Sequence, residues 1–297
     1  MEQKRATLSQ VELAYLEAGN PGDPLVVCLH GFPDHAHSYD ALLPVLADGG
    51  YHAVSPWLRG YAPSGLAPDG CYESARIAAD VVELVAALGS DRAKIVGHDW
   101  GAVATYAACT LAPERFSRAV AMAVPHASAF APIFLTNFEQ QKRSFYMFIF
   151  QLEGLAEGIV SANDLEFIDK LIADWSPGWD RTEQDRDWLR EAMGSPENLT
   201  AVLSYYRQMI NPLNQVQTEE MVRLRNATSG VVPTPTLQLF GADDGCIDPE
   251  IVPDQSAFFG GELLVERLAG CGHFLLQDNA DLVCERIMDW LGPASAA

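Results

Sequence analysis

The chain has 297 residues, 48% of them hydrophobic, enough for a large core in one α/β unit carrying an insertion. Its 40 acidic side chains outnumber 19 basic ones, and the net charge of −21 excludes nucleic acid, anionic membrane surfaces and strongly anionic substrates as expected partners. The first elements are a strand near residues 11–17 and the buried apolar run Leu25-Val26-Val27-Cys28-Leu29, which stops at His30-Gly31-Phe32-Pro33. A strand at 52–56 leads to Leu58-Arg59-Gly60-Tyr61. Residues 74–88 predict a helix, with apolar positions at Ile77, Val81, Val82, Leu84 and Val85. A strand at 94–96 runs into Gly97-His98-Asp99-Trp100-Gly101, and small helix-favouring residues follow from Ala102 to Leu111. After a strand at 118–124, the stretch 126–232 lacks strand-like alternation, contains Trp175, Trp179 and Trp188, and reads as a helical cap. A return linker, Val231-Val232-Pro233-Thr234-Pro235-Thr236, brings the chain to strands at 236–240 and 263–268 and a helix ending near Leu291. The alternation predicts a mostly parallel α/β sheet covered on both faces, with 1–125 and 233–297 as the core.

No leader-like apolar stretch occupies the first twenty residues, and no apolar run reaches the roughly 18 residues of a membrane span. The nearest approach, 119–135, is expected to be broken by Pro125, His126 and Pro132. Cysteines 28, 71, 109, 246, 271 and 284 show no disulfide framework, so free thiols in a cytoplasmic protein are expected. His35-Ala36-His37 has metal-like spacing, but no Cys or carboxylate cluster completes a site, so neither metal nor cofactor is expected.

Gly97-His98-Asp99-Trp100-Gly101 has the form of a nucleophile elbow, G-x-S-x-G, with Asp in place of Ser. That exchange sets the chemistry. A serine attacking an sp³ carbon would give an ether that water does not cleave at neutral pH. A carboxylate gives an alkyl ester that water cleaves, regenerating the enzyme. Asp99 therefore points to alkylating substrates such as epoxides or alkyl halides. No serine has glycine at both i−2 and i+2, so the chain carries no rival serine elbow. The turn after strand 25–29 stands where backbone N–H groups of Phe32 and Trp100 would meet a developing oxyanion.

Together HGFP, GHDWGA and LRGY resemble the epoxide hydrolases of the α/β-hydrolase superfamily, over nearly the whole chain from Val11 to Leu291. The resemblance implies that fold, with an inserted helical cap, and His273 of Gly270-Cys271-Gly272-His273 as the base. It implies a G-x-x-D acid after strand 236–240, which selects Asp244 and leaves Asp243 as the near rival and Asp248 as a distant one. The segment 121–126, where some relatives place the acid, has no carboxylate. The family's two cap tyrosines, which donate hydrogen bonds to the epoxide oxygen, correspond to Tyr146 in Phe145-Tyr146-Met147-Phe148 and Tyr206 in Tyr205-Tyr206-Arg207. Tyr205 lies about 100° around a helix from Tyr206, so both cannot serve one point equally. The implied partners are water and a small apolar epoxide, with a homodimer left open. A haloalkane dehalogenase is the alternative enzyme, disfavoured because Phe32 stands where that family often uses Asn. A non-catalytic binding protein of the same fold is the alternative outside catalysis.

Overall fold

In the computed structural model, which describes residues 1–294, the apolar runs become strands of one eight-stranded sheet. They are β1 (Glu2–Thr7), β2 (Glu12–Ala18), β3 (Leu25–Leu29), β4 (His52–Pro56), β5 (Ala93–His98), β6 (Phe116–Met122), β7 (Thr236–Gly241) and β8 (Leu263–Leu268). The order is β1-β2-β4-β3-β5-β6-β7-β8, with β2 antiparallel to both its neighbours and every other pair parallel. All five residues of β3 and of β4 are buried, the signature of strands covered on both faces.

Strand β1 is absent from the sequence reading. Its residues Glu2-Gln3-Lys4-Arg5-Ala6-Thr7 bury only Ala6, so it carries no apolar period to detect. It forms because β2 offers an open ladder, and Lys4 pairs with Glu17 across it.

Helices α1 (Leu42–Asp48), α2 (Ser74–Ala87) and α3 (Trp100–Leu111) connect the first strands. Between β6 and β7 the chain makes α4 (Ala127–Thr136), α5 (Phe138–Arg143), α6 (Phe145–Ile149), α7 (Leu155–Ser161), α8 (Glu166–Trp175), α9 (Glu183–Met193), α10 (Pro196–Ile210) and α11 (Glu219–Thr228). Helices α12 (Leu275–Asp278) and α13 (Ala280–Leu291) close the chain. Helices α2, α3 and α11 pack together, and α1 packs with α13. The starts of α9 and α10 follow local chemistry: Thr182 caps Asp185 in a reciprocal box, and Ser195 caps Asn198 with Pro196 at the first turn.

One expectation is corrected. Pro125 and His126 do separate β6 from α4, but Pro132 lies inside α4 and does not break it. Proline lacks an N–H, yet one missing bond midway along a ten-residue helix leaves the remaining ladder in place. Among the described residues no helix is long and apolar enough to cross a membrane. The core is continuous from the strands into the insertion, through Phe32, Trp100, Trp175, Tyr205 and Tyr206.

Candidate active site

Because β3, β5, β6, β7 and β8 run parallel, the loops after β3, β5, β7 and β8 gather at one rim of the sheet. Asp99 sits there, between β5 and α3, with φ 52° and ψ −115°. A left-handed aspartate is strained, and close packing holds it. A Cβ on Gly101 would run into the Leu29 carbonyl oxygen of β3, so only glycine lets the elbow approach that strand. The Phe32 N–H donates to Asp99 Oδ1 at 2.7 Å. Trp100 is the first residue of α3, where backbone N–H groups have no partner within the helix.

The motif HGFP is tied to LRGY through His30. Its Nδ1–H donates to the Gly31 carbonyl at 2.9 Å, and its Nε2 accepts the Leu58 N–H at 3.0 Å. Acceptance at Nε2 requires the neutral ring, and burial pushes its pKa down to about 4. Next to it, the buried Arg59 guanidinium grips Asp80 through two hydrogen bonds of 2.6 and 2.7 Å and donates to the Cys71 carbonyl.

The structure brings His273 between two carboxylates. His273 Nδ1 lies 2.9 Å from Asp244 Oδ2, and Nε2 lies 3.6 Å from Asp99 Oδ2. Asp244 Oδ1 accepts the N–H groups of Cys246 and Ile247 at 2.7 and 2.9 Å, which aims its other oxygen at the ring. Neither rival reaches the imidazole: Asp243 is exposed, and Asp248 caps Glu250 and pairs with Arg143. Burial alone would lower the His273 pKa. The Asp244 charge and hydrogen bond, followed by Asp99, overcome it and raise the value to about 10. His98 Nε2–H donates to the His273 carbonyl at 2.9 Å, while its Nδ1 faces the buried Asp34 at 3.4 Å.

Tyr146 of α6 and Tyr206 of α10 meet edge to face, with ring centroids 5.6 Å apart. The Tyr206 ring also meets Phe32 at 5.2 Å and Trp100 at 5.1 Å. Its hydroxyl is buried and has no hydrogen-bond partner among the described residues. The Tyr146 hydroxyl lies 3.6 Å from Cys246 Sγ. Burial, then nearby groups that include Asp99, pushes both phenols well above their ordinary pKa, so both stay protonated. Tyr205 differs: its hydroxyl donates to the Arg59 carbonyl at 2.7 Å and is committed to the core. Arg207 fixes the register from the other side. It donates to the Phe150 carbonyl at 2.7 Å and to both oxygens of Glu157, lowering the Glu157 pKa to about 2.

Contacts of Cys246, Trp175 and Arg207 with the site escaped the sequence reading. Cys246 and Arg207 had local signals, two residues after Asp244 and directly after Tyr206; Trp175 is joined to the site only through the fold. His35 and His37 pack on Trp188, and among the described residues no three His, Cys, Asp or Glu side chains form a metal-sized group.

Comparison with known proteins agrees with this architecture. The chain is 28% identical over 318 residues to epoxide hydrolase A of Mycobacterium tuberculosis, covering 95% of this chain and 94% of that protein. It is 28% identical over 292 residues to epoxide hydrolase 3 of Xenopus tropicalis, covering 95% and 75% of the two chains. The crystal structure of the Bacillus megaterium epoxide hydrolase with an inhibitor matches with a TM-score of 0.81 at 25% identity, covering 97% of this chain and 99% of that one. Residues 24–280 match the family model for the alpha/beta hydrolase fold, in keeping with the strand order, the elbow and the helical insertion between β6 and β7, and the chain belongs to that family.

Proposed function

We propose that this protein is an epoxide hydrolase that opens a small apolar epoxide to a vicinal diol through an ester on Asp99. The observation that carries the reading is a buried phenol, Tyr206, with no acceptor of its own among the described residues, close enough to the elbow carboxylate for that charge to raise its pKa. A carboxylate nucleophile needs such a donor when the leaving group is an alkoxide. The likeness to proteins named epoxide hydrolase supports the same reading.

In this mechanism Asp99 Oδ2 attacks a ring carbon while Oδ1 stays on the Phe32 N–H. The carbon–oxygen bond breaks, and the oxygen takes a proton from the tyrosine pair under the helices of 126–232, which act as the cap. The phenolate recovers its proton, ultimately from the imidazolium of His273, since alkylation has removed one of the two carboxylate charges that held it. Neutral His273, oriented by Asp244, then takes a proton from water as the water oxygen adds to Asp99 Cγ. The tetrahedral oxyanion is held by the N–H groups of Phe32 and Trp100. Collapse releases the diol oxygen, which takes the proton from His273, and the acid form of Asp99 returns a proton to the imidazole. The balance is epoxide plus water to diol, with the resting ion pair restored.

The water oxygen enters the enzyme before it enters product. After a single turnover in ¹⁸O-water, peptide mass spectrometry should find label in Asp99, with unlabelled diol. Label in the diol and never in Asp99 over many turnovers would sink the ester route.

A further inference from the structure

We infer that Ser176 and Asp278 are positioning residues for His273, and that docking of the helical insertion on the core holds the base in place. This role rests on the ester mechanism proposed above. Three consecutive backbone N–H groups in the His273 loop are each taken by a different acceptor. Gly272 N–H donates to Asp278 Oδ2 at 2.7 Å, His273 N–H to the Trp175 carbonyl at 2.9 Å, and Phe274 N–H to Ser176 Oγ at 2.8 Å. The Ser176 hydroxyl in turn donates to Asp278 Oδ2 at 2.8 Å, closing the clamp.

Two of these three acceptors, Trp175 and Ser176, belong to the end of α8 and its following residue, outside the sheet core. The same Trp175 carbonyl accepts the Gly245 N–H at 3.1 Å, so one atom of the insertion ties the acid loop to the base loop. Close approach shows in the sequence as Gly272, where a Cβ would lie 2.6 Å from the Trp175 oxygen and 2.7 Å from Ser176 Cα. With His98 holding the His273 carbonyl, both backbone groups of the histidine are anchored.

The consequence divides between the two half-reactions. Ester formation uses Asp99 Oδ2 and the tyrosine hydroxyls, whereas the hydrogen bonds of Ser176 and Asp278 go to each other and to the Gly272 and Phe274 N–H groups. Ester hydrolysis needs Nε2 aimed at a water on Asp99 Cγ, and small displacements of a base cost much rate.

The test is rapid-quench kinetics with intact-protein mass spectrometry, using styrene oxide as probe. Ser176→Ala and Asp278→Ala should form the ester within twofold of the wild-type rate but hydrolyse it at least tenfold more slowly, so alkylated enzyme accumulates. Asp278→Asn keeps an oxygen for the Gly272 N–H and the Ser176 hydroxyl, and should return hydrolysis to within threefold of wild type. In a His273→Gln background, adding Ser176→Ala should slow hydrolysis no further. Equal loss in both half-reactions, no loss in either, or an undiminished Ser176→Ala effect without His273 overturns the role. Ser176→Ala removes one oxygen and serves if Asp278→Ala does not fold. Wild-type enzyme that turns over without ever carrying an ester fails the parent mechanism instead, and is recognised before any variant is compared.

Discussion

At residue scale the site is a set of committed and uncommitted polar atoms. Tyr205 spends its hydroxyl on the Arg59 carbonyl, whereas Tyr206 keeps its own. Tyr146→Phe or Tyr206→Phe alone should leave slow alkylation, and the double variant should fall well below either. Each lost donor to a developing oxyanion costs about 3 kcal/mol, roughly a hundredfold. Tyr205→Phe should leave alkylation unchanged while lowering stability by about 1 kcal/mol, since it removes a buried hydrogen bond. Single-turnover alkylation and thermal melts check all four, and full activity in the double variant would turn attention to halide release. His273 carries a second prediction. Its folded pKa of about 10 lies above the ordinary 6.5, so its contribution is fully present below pH 6.5 and is lost as pH rises through 10. The melting temperature of wild type relative to His273→Gln should therefore fall across that interval; a constant difference would contradict it. How much of this was readable depends on where the partner sits in the chain. Neighbours in sequence could not separate Asp243 from Asp244 on composition; only the G-x-x-D register did, and the contact at 2.9 Å shows which one meets the ring. Ser176 and Asp278 were not readable, because nothing local in a serine or an aspartate announces a partner about a hundred residues away.

At the scale of elements, short strand-like runs bounded by glycine or proline made β3, β4 and β8 legible to the residue, while β1 was silent because its stability comes from the ladder of β2 and not from apolar burial. The helices of 126–232 were legible as a region but not as eight pieces. Their breaks depend on caps such as Thr182 and Ser195 and on left-handed residues such as Leu165, whose φ of 66° no composition rule anticipates. Helix α10 is pinned to α6 and α7 by Arg207, which bridges the Phe150 carbonyl and Glu157. Arg207→Met keeps the bulk and strands those acceptors. It should cost about 2 kcal/mol of stability and slow alkylation, since α6 and α10 carry the two tyrosines. A variant that loses stability with undiminished alkylation would show that the pairing of α6 and α10 does not depend on this bridge.

At the scale of the whole molecule, a charge of −21 on a chain of this size sets acidic groups against one another. Moderate sodium chloride should therefore raise the melting temperature by screening, a trend that calorimetry at fixed pH would reveal and that a fall in melting temperature would refute. The two outer strands of the sheet differ in the apolar surface they expose. Strand β1 presents Glu2, Lys4 and Arg5, which resist pairing with another chain. Strand β8, at the far end of the order, exposes Leu264 at 42% and Val265 at 45%. Heated protein has an apolar stretch on that flank, guarded only further along by Glu266 and Arg267, a template on which a second molecule's chain can add itself as a ninth strand. Clouding on heating should begin from that flank, so Val265→Lys should delay it at unchanged melting temperature, whereas further charge on β1 should do nothing.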